Sequence, residues 1–317
     1  MRLGFAVKVL GQEGLKSHDA RRHQNAPHLK NSIEFAHGIF DYLHKTRISM
    51  YRFSSDFAPY FTHPDMPQFH GQIEESREEL ENMGKRAREM NLRLSFHPSQ
   101  YIILNSPSPK LTETSTRDFL AQATMLDVME QGEEAVVVTH VGGVYGEREA
   151  AMARFITNYK ALPEPARRRL VLENDDVSWS AAEVLKIHEA TGIRCIFDHQ
   201  HHTCINPEGW SHEKACAAIL KTWPDDCRPK IHFSSPRIEA RTIMRRDKTT
   251  GKRVAHEAVA LASQHADYID SRTFISFARK VRETREFDVM CEAKAKDLAV
   301  LKLREELEAL SDDFLME

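Results

Sequence analysis

Apolar residues along this chain fall into two patterns, and the two alternate. Short runs place Val, Ile, Leu and Phe at successive positions, as in strands covered on both faces of a parallel sheet. Such runs are MRLGFAV (1–7), ISMYRFS (48–54), LRLSFH (92–97), EAVVVTH (134–140), RLVLEN (169–174), RCIFD (194–198), KIHFSS (230–235) and DVMCEA (288–293). Between them, apolar residues recur at helical spacing over 28–44, 73–90, 116–131, 181–191 and 212–223. Ser211 is expected to cap the last of these helices, and Ser115 or Thr116 the third.

Eight strands alternating with helices predict an α/β fold, a single (β/α)8 TIM barrel whose reactive groups come from the C-terminal ends of the strands. The length of 317 residues admits one such barrel or two small domains, so the pattern decides. The barrel is assigned to 1–296. Residues 297–317, beginning DLAVLKLREELEAL, read as a charged amphipathic helical tail expected to pack on the barrel's outside.

The strand ends carry groups that are costly to bury without partners. CIFDHQHHTCINP (195–207) starts as a buried strand and then meets an aspartate and three histidines within five residues. The same happens around the ring. His63 lies in the loop after the second strand, and His97, His140, Glu173, Asp198 with His201, His232 and Glu292 stand at the ends of the third to eighth; only the first strand lacks such a group. One histidine at a strand end is more often a hydrogen-bonded structural residue than a ligand. Agreement among seven strands points instead to metal, since imidazole nitrogen and carboxylate oxygen suit zinc, manganese and iron.

Adjacency suggests how the ligands divide. His97, His140 and Glu173 come from successive strands and form one expected site. Glu173 is expected to bridge to a second, completed by Asp198, His232 and Glu292, while His201 with a further histidine such as His265 holds a third. His199 and His202 alternate away and are read as supporting or packing residues. Lys230 lies two residues before His232, so strand period points both to one face. In the barrel interior its amine must be neutral, salt-bridged or covalently modified; outside it, the stem packs and the head reaches solvent.

Composition narrows the setting. With 41% hydrophobic and 29% charged residues the chain is ordinary for a globular protein, and no stretch reaches the roughly 18 apolar residues of a membrane span. No signal peptide is expected at the N-terminus. Five cysteines without a C-x-x-C pair indicate neither a disulfide framework nor a zinc ribbon, and fit a reducing cytoplasm. The net charge of −3 argues only weakly against nucleic acid, because bound cations offset acidic ligands. Seventeen histidines call for a chemical explanation.

Metal ions about 3.5–4 Å apart clamp the attacking and departing oxygens of a phosphodiester, so the ligand set points to phosphate-ester hydrolysis. Two segments bear on the substrate. SSPRIEARTIMRRDKTTGKRVAH (234–256) reads as a loop with seven basic residues from Arg237 to Arg253 against two acids, a candidate phosphate contact. In HPSQYIILNSPSP, Gln100 and Tyr101 follow His97 and can present an amide and an aromatic plane to a base.

Together the stretches RLGF, YRFSSDFAPYFTHP, RLSFHPSQY, THVGGVYGER, LENDD, FDHQHH, RPKIHFSS, QHADYI and DVMCEAKAKD, in order from residue 2 to about 297, resemble the UV damage endonuclease family. The resemblance implies a metal-dependent DNA repair endonuclease with three divalent ions, manganese first and zinc or magnesium as alternatives. It would cut damaged double-stranded DNA 5′ of cyclobutane pyrimidine dimers, 6-4 photoproducts or abasic sites. It also implies metal-site roles for His63, His97, His140, Glu173, Asp198, His201, His232, His265 and Glu292, with His63 nearer the scissile phosphate. Glu173, His232, Lys230 and His63 are the implied catalytic set, Lys230 matching a lysine that can be carboxylated. Gln100 and Tyr101 match the pair that probes the lesion. Phe5 stands where the family often has tyrosine, so stacking on DNA is expected there without a hydroxyl contact.

A monomer working in the cytoplasm, away from membranes, completes the expectation. Two rivals share the barrel. A sugar isomerase or epimerase would use similar ligands but has no use for a basic lesion-facing loop. A damage-binding barrel with structural metals would bind irradiated DNA without nicking it.

Overall fold

The computed structural model of the chain describes residues 1–247, 249–310 and 314. Seven parallel strands come first: β1 (Leu3–Ala6), β2 (Met50–Arg52), β3 (Arg93–Phe96), β4 (Val136–His140), β5 (Leu170–Glu173), β6 (Arg194–Ile196) and β7 (Lys230–Phe233). An antiparallel hairpin follows, β8 (Arg241–Arg246) with β9 (Arg253–Ala258), and then the last parallel strand, β10 (Asp288–Cys291). The eight parallel strands pair in the order β6-β5-β4-β3-β2-β1-β10-β7. The ring closes where β7 meets the end of β6. There Asp198 and His232 form a parallel bridge, and the His232 N–H donates to the Phe197 carbonyl at 2.9 Å.

A helix follows each barrel strand on the outside: Leu29–Thr46, Arg77–Glu89, Pro109–Val128, Arg148–Lys160, Ala181–Thr191, His212–Leu220, Ser271–Arg282 and Lys296–Leu310. The first shows why. Leu29, Ile33, Ala36, Phe40 and Leu43 recur at three and four residues and are all buried, so one stripe faces the sheet. Ser211 caps its helix as expected, accepting from the Lys214 N–H. The third helix corrects an expectation: it starts at Pro109, with Ser108 at the cap position and proline pre-set for the first turn, rather than at Ser115 or Thr116. Ser115 sits inside the helix, where its hydroxyl accepts from the Ile103 N–H.

Lys296–Leu310 buries Ala299, Val300, Leu303 and Leu307. Asp297 at its start is buried and accepts from the Leu10 and Gly11 N–H groups and the Tyr42 hydroxyl. The segment set apart as a tail thus supplies the barrel's last helix through residue 310, and 311–313 and 315–317 lie outside the described residues.

Strand period decides what fills the barrel. Positions Arg93-Ser95-His97, Val136-Val138-His140, Val171-Glu173, Arg194-Ile196-Asp198, Lys230-His232 and Asp288-Met290-Glu292 each keep one parity. Below the rim, inward apolar residues pack in two small groups, one of Val136, Val138, Val171 and Ile196 with Trp223 and Cys227, the other of Ala6, Met50 and Met290. At the N-terminal end Arg93 and Asp288, both fully buried, pair at 2.9 Å, and Arg2 joins them. The large core of aromatic and aliphatic side chains lies between sheet and helices. Apolar layers below and helices around leave the C-terminal ends of the strands as the place where polar side chains gather.

Candidate metal centre

Glu173 is the hub of that rim. Its Oε1 lies 2.9 Å from His232 Nδ1 and 3.5 Å from His201 Nδ1; its Oε2 lies 3.3 Å from His97 Nε2 and 3.6 Å from His140 Nε2. Register explains one of these approaches, since His140 is the direct cross-strand neighbour of Glu173, and the bridge at the ring closure puts His232 beside Asp198. Two groups result whose ligand atoms lie within 4.8 Å of one another, His97-His140-Glu173 and Glu173-Asp198-His232. The structure thus brings together the residues of the first expected site and, of the second, Glu173, Asp198 and His232.

The remaining expected ligands are close by. Glu292 Oε1 is 3.3 Å from His232 Nδ1, and the His201 and His265 rings are 6.4 Å apart. His201 Nδ1 is 3.7 Å from Asp198 Oδ1.

The donor chemistry fits divalent cations. Buried polar atoms are nearly always partnered, yet Glu173 Oε2, Asp198 Oδ2, His232 Nε2 and His140 Nδ1 have no hydrogen-bond partner among the described residues. Several imidazoles are held by their other nitrogen. His97, His201 and His265 each direct Nδ1 at a backbone carbonyl, of Pro98, Asn174 and Glu292 respectively. A carbonyl only accepts, so Nδ1 carries a proton in each and Nε2 is the nitrogen turned towards the rim, the arrangement that orients metal-ligating histidines.

Burial and neighbouring charge set the protonation states. Burial pushes the His97 imidazole down to about 4, so it is neutral at pH 7. Burial opposes ionisation of Glu173, but His232 and His140 outweigh it and hold the carboxyl well below its usual range. Asp198 is pushed up by burial, with Glu173 and Glu292 adding to the effect. Burial also works against charge on His201, yet Asp198, Glu173 and Glu292 raise it to about 10. Several carboxylates crowd around too few cations, which is the imbalance that bound metal relieves.

Lys230 is fully buried on the interior face, and its Nζ has no hydrogen-bond partner among the described residues. Burial, then Arg93 and Arg52, push its pKa well below the ordinary value, which favours the uncharged amine. The reading in which its head reaches solvent is corrected. The salt-bridged option is absent too, among the described residues.

Other expected site residues lie apart from the ligand set. His63 is half-buried in the loop after β2, where its Nδ1 accepts from the Asp65 N–H; it lines a cavity with Asp19, Asp56 and Asp118. What β2 itself delivers is Arg52, which ion-pairs with Glu292. Gln100 and Tyr101 are exposed beyond His97, Tyr101 to 70%. Phe5 is completely buried and meets Tyr51 edge-on at 5.5 Å, so the expectation that it stacks on DNA is corrected: the ring is core. His199 and His202 are packing residues, His199 lying against Phe233 and His212.

Two residues that the pattern does not single out complete the site. Arg52 keeps the inward parity of Met50, which is the signal that could have found it. Asn174 is buried directly after Glu173; its amide donates to the Asp198 carbonyl and its Oδ1 accepts from the Asp198 N–H. One side chain thereby fixes the β6 end to the β5 end. Asp198 Oδ1 in turn accepts from the His201 N–H at 2.7 Å, capping the short helix His199–Cys204 and leaving Oδ2 for a cation.

A model of the UV-endonuclease UvdE family matches residues 15–313. The UV DNA damage endonuclease of Bacillus velezensis is 35% identical over 266 residues, 83% of this chain and 76% of that protein. That of a Bacillus cereus strain is 32% identical over 289 residues, 89% and 82% of the two chains. Among solved structures, SacUVDE superposes with a TM-score of 0.81 at 29% identity, covering 98% of this chain and 99% of its own. D-psicose 3-epimerase covers the same 98% with a TM-score of 0.57 at 10% identity, a likeness of barrel fold alone. With a family match spanning nearly the whole sequence and relatives above 30% identity, the chain belongs to the UV-endonuclease UvdE family.

Proposed function

We propose that this chain is a divalent-metal-dependent endonuclease that nicks double-stranded DNA 5′ of cyclobutane pyrimidine dimers and 6-4 photoproducts, and at abasic sites. The observation that carries the reading is Glu173, within 3.6 Å of four imidazoles and shared by two three-residue ligand groups. Divalent ions bound there supply Lewis acidity towards the phosphate and make water nucleophilic near neutral pH. Three ions suit the ligand count, with His201, His265 and Glu292 extending the two groups; manganese is the first choice, zinc or magnesium the alternatives.

The chain's own residues do the rest. Glu173 holds the two groups in register with each other. The backbone carbonyls behind His97, His201 and His265 fix which ring nitrogen faces inward. Arg52, paired with Glu292 at the rim, places a permanent positive charge where a phosphate would approach. Exposed Gln100 and Tyr101 are positioned to enter a weakly stacked lesion, and a damaged step costs less to open than an intact one. His63 contacts the DNA near the scissile phosphate from its loop. Burial favours the uncharged Lys230 amine, the form that adds carbon dioxide with release of a proton to give a carbamate, which would add an oxygen ligand to the cluster. The enzyme acts as a monomer in the cytoplasm; no helix among the described residues is long and apolar enough to cross a membrane.

The epimerase reading rests on a likeness of 10% identity, which carries fold but not chemistry. The test is strand nicking of UV-irradiated and unirradiated duplexes with manganese. Nicks confined to the irradiated duplex and abolished by chelation support the proposal. Tight binding without nicking under any divalent metal would overturn it in favour of a damage-binding barrel.

A further inference from the structure

The basic segment between β7 and β10 is not an irregular loop. Residues 235–237 and 264–266 pair as an antiparallel stem, with Arg237 N–H donating to the Gln264 carbonyl at 2.7 Å and Ala266 N–H to the Ser235 carbonyl at 2.8 Å. Beyond the stem, β8 and β9 pair over six residues each, from Arg241↔Ala258 to Arg246↔Arg253, and strands of that length span about 20 Å. Asp247 ties the turn by accepting from the Thr249 and Thr250 N–H groups. The stem rises from the rim: it begins just after β7 and its returning strand carries His265.

This hairpin violates the rules for a free-standing pair of strands. Two strands without a packed face are marginal in water. Arg246 and Arg253 are direct cross-strand partners and both exposed, and like charges so placed are destabilising. Arg245, Lys252 and Arg253 have no acidic partner among the described residues. Between 241 and 258 six lysines and arginines face two acids, in a chain whose net charge is −3. Lys248, one of the six, lies outside the described residues. A ribbon of cations set against each other is stabilised by a polyanion that lies along it.

We infer that the β8–β9 hairpin is an arm that grips the phosphate backbone of duplex DNA flanking the nicking site. The inference rests on the proposed action on DNA and adds a binding surface separate from the metal centre. Because phosphates carry no sequence or damage signal, the arm raises affinity for irradiated and unirradiated duplex alike.

The test is a variant with Arg245→Ala, Arg246→Ala, Lys252→Ala and Arg253→Ala, all exposed positions. A control variant removes the same charge from the barrel's exposed outside through Lys85→Ala, Lys160→Ala, Lys221→Ala and Lys302→Ala. Equilibrium binding to both duplexes is followed from about 50 to 200 mM salt. Loss of four phosphate contacts lowers the slope of log affinity against log salt by about 3 to 4, with affinity falling at least about tenfold at the low-salt end. The control is expected to keep the wild-type slope. An unchanged slope in the arm variant, or an equal drop in the control, overturns the arm. Nicking by the wild type is scored separately: a wild type that binds but never nicks would refute the endonuclease reading, while the difference in slopes would still decide the arm.

Discussion

His232 Nδ1 and Glu173 Oε1 lie 2.9 Å apart inside the barrel, although 59 residues separate them in the chain. The imidazole donates, so His232 is held with Nε2 free while Glu173 keeps its second oxygen near His97 and His140. A single carboxylate thus ties together side chains from four other segments of the ring. Its loss should therefore act on the whole centre rather than on one ligand.

Asn174 is predicted to matter as much as a weak ligand, without being one. Its side chain makes both hydrogen bonds that fix the Asp198 backbone. Asn174→Ala should weaken manganese binding by about 10- to 100-fold, the usual effect of removing a group that orients ligands. A metal titration followed by calorimetry reads this directly, and an unchanged affinity would refute the positioning role.

The other end of the barrel should govern stability instead. Burial opposes charge on Asp288, but Arg93 and Arg2 more than offset it and hold the carboxyl below its usual range. A depressed pKa contributes stability above the unfolded value that is lost as pH falls through the folded one. Asp288→Ala leaves Arg93 buried without its carboxylate and should cost about 3–5 kcal/mol in urea unfolding near pH 7. Metal affinity of the folded variant should stay at the wild-type level.

Asp118 predicts the opposite sign. Burial, with Asp56 adding, raises its carboxyl from 3.8 to about 6. A raised acid pKa means the folded state binds the proton more tightly, so its ionisation removes stability as pH rises from about 4 to beyond 6. Asp118→Asn should stabilise the protein near pH 7 by up to about 3 kcal/mol, since the Thr62 hydroxyl can turn to accept from the new amide. Near pH 4 the two proteins should unfold at the same denaturant concentration.

Tyr101→Ala should leave folding and metal binding intact, because the ring is 70% exposed. Stacking of a base on an aromatic ring is worth about 1–3 kcal/mol. The variant should therefore lose about 10- to 100-fold in affinity for irradiated duplex and little for intact duplex. Equal losses on both would assign Tyr101 to backbone contact instead.

Much of this architecture is legible before any coordinates. The eight barrel strands are buried on both faces and read as apolar runs, and period two carries inward parity to His97, His140, Glu173, Asp198, His232 and Glu292. What escaped has physical reasons. Phe5 obeys a family position but faces the core on the outer side of β1, and one letter cannot reveal a ring's surroundings. His63 lies in a loop, where no period fixes direction. The helix Arg148–Lys160 is not picked out because its buried face, Ala151, Phe155 and Tyr159, is a thin stripe four residues apart. The β8–β9 hairpin reads as loop because charged and apolar residues mix on both faces with no core to sort them. Pro109 at the first turn of its helix was the better start signal than Ser115 or Thr116.

The most direct measurement is the metal content of purified wild type and Glu173→Gln by elemental analysis, beside nicking of UV-irradiated duplex in manganese. The shared-carboxylate account predicts more than one divalent ion per wild-type chain, fewer in the variant, and a nicking rate lowered at least about 10³-fold, on the order of losing a principal electrostatic group. A variant that keeps the full metal content and nicks at the wild-type rate would contradict it.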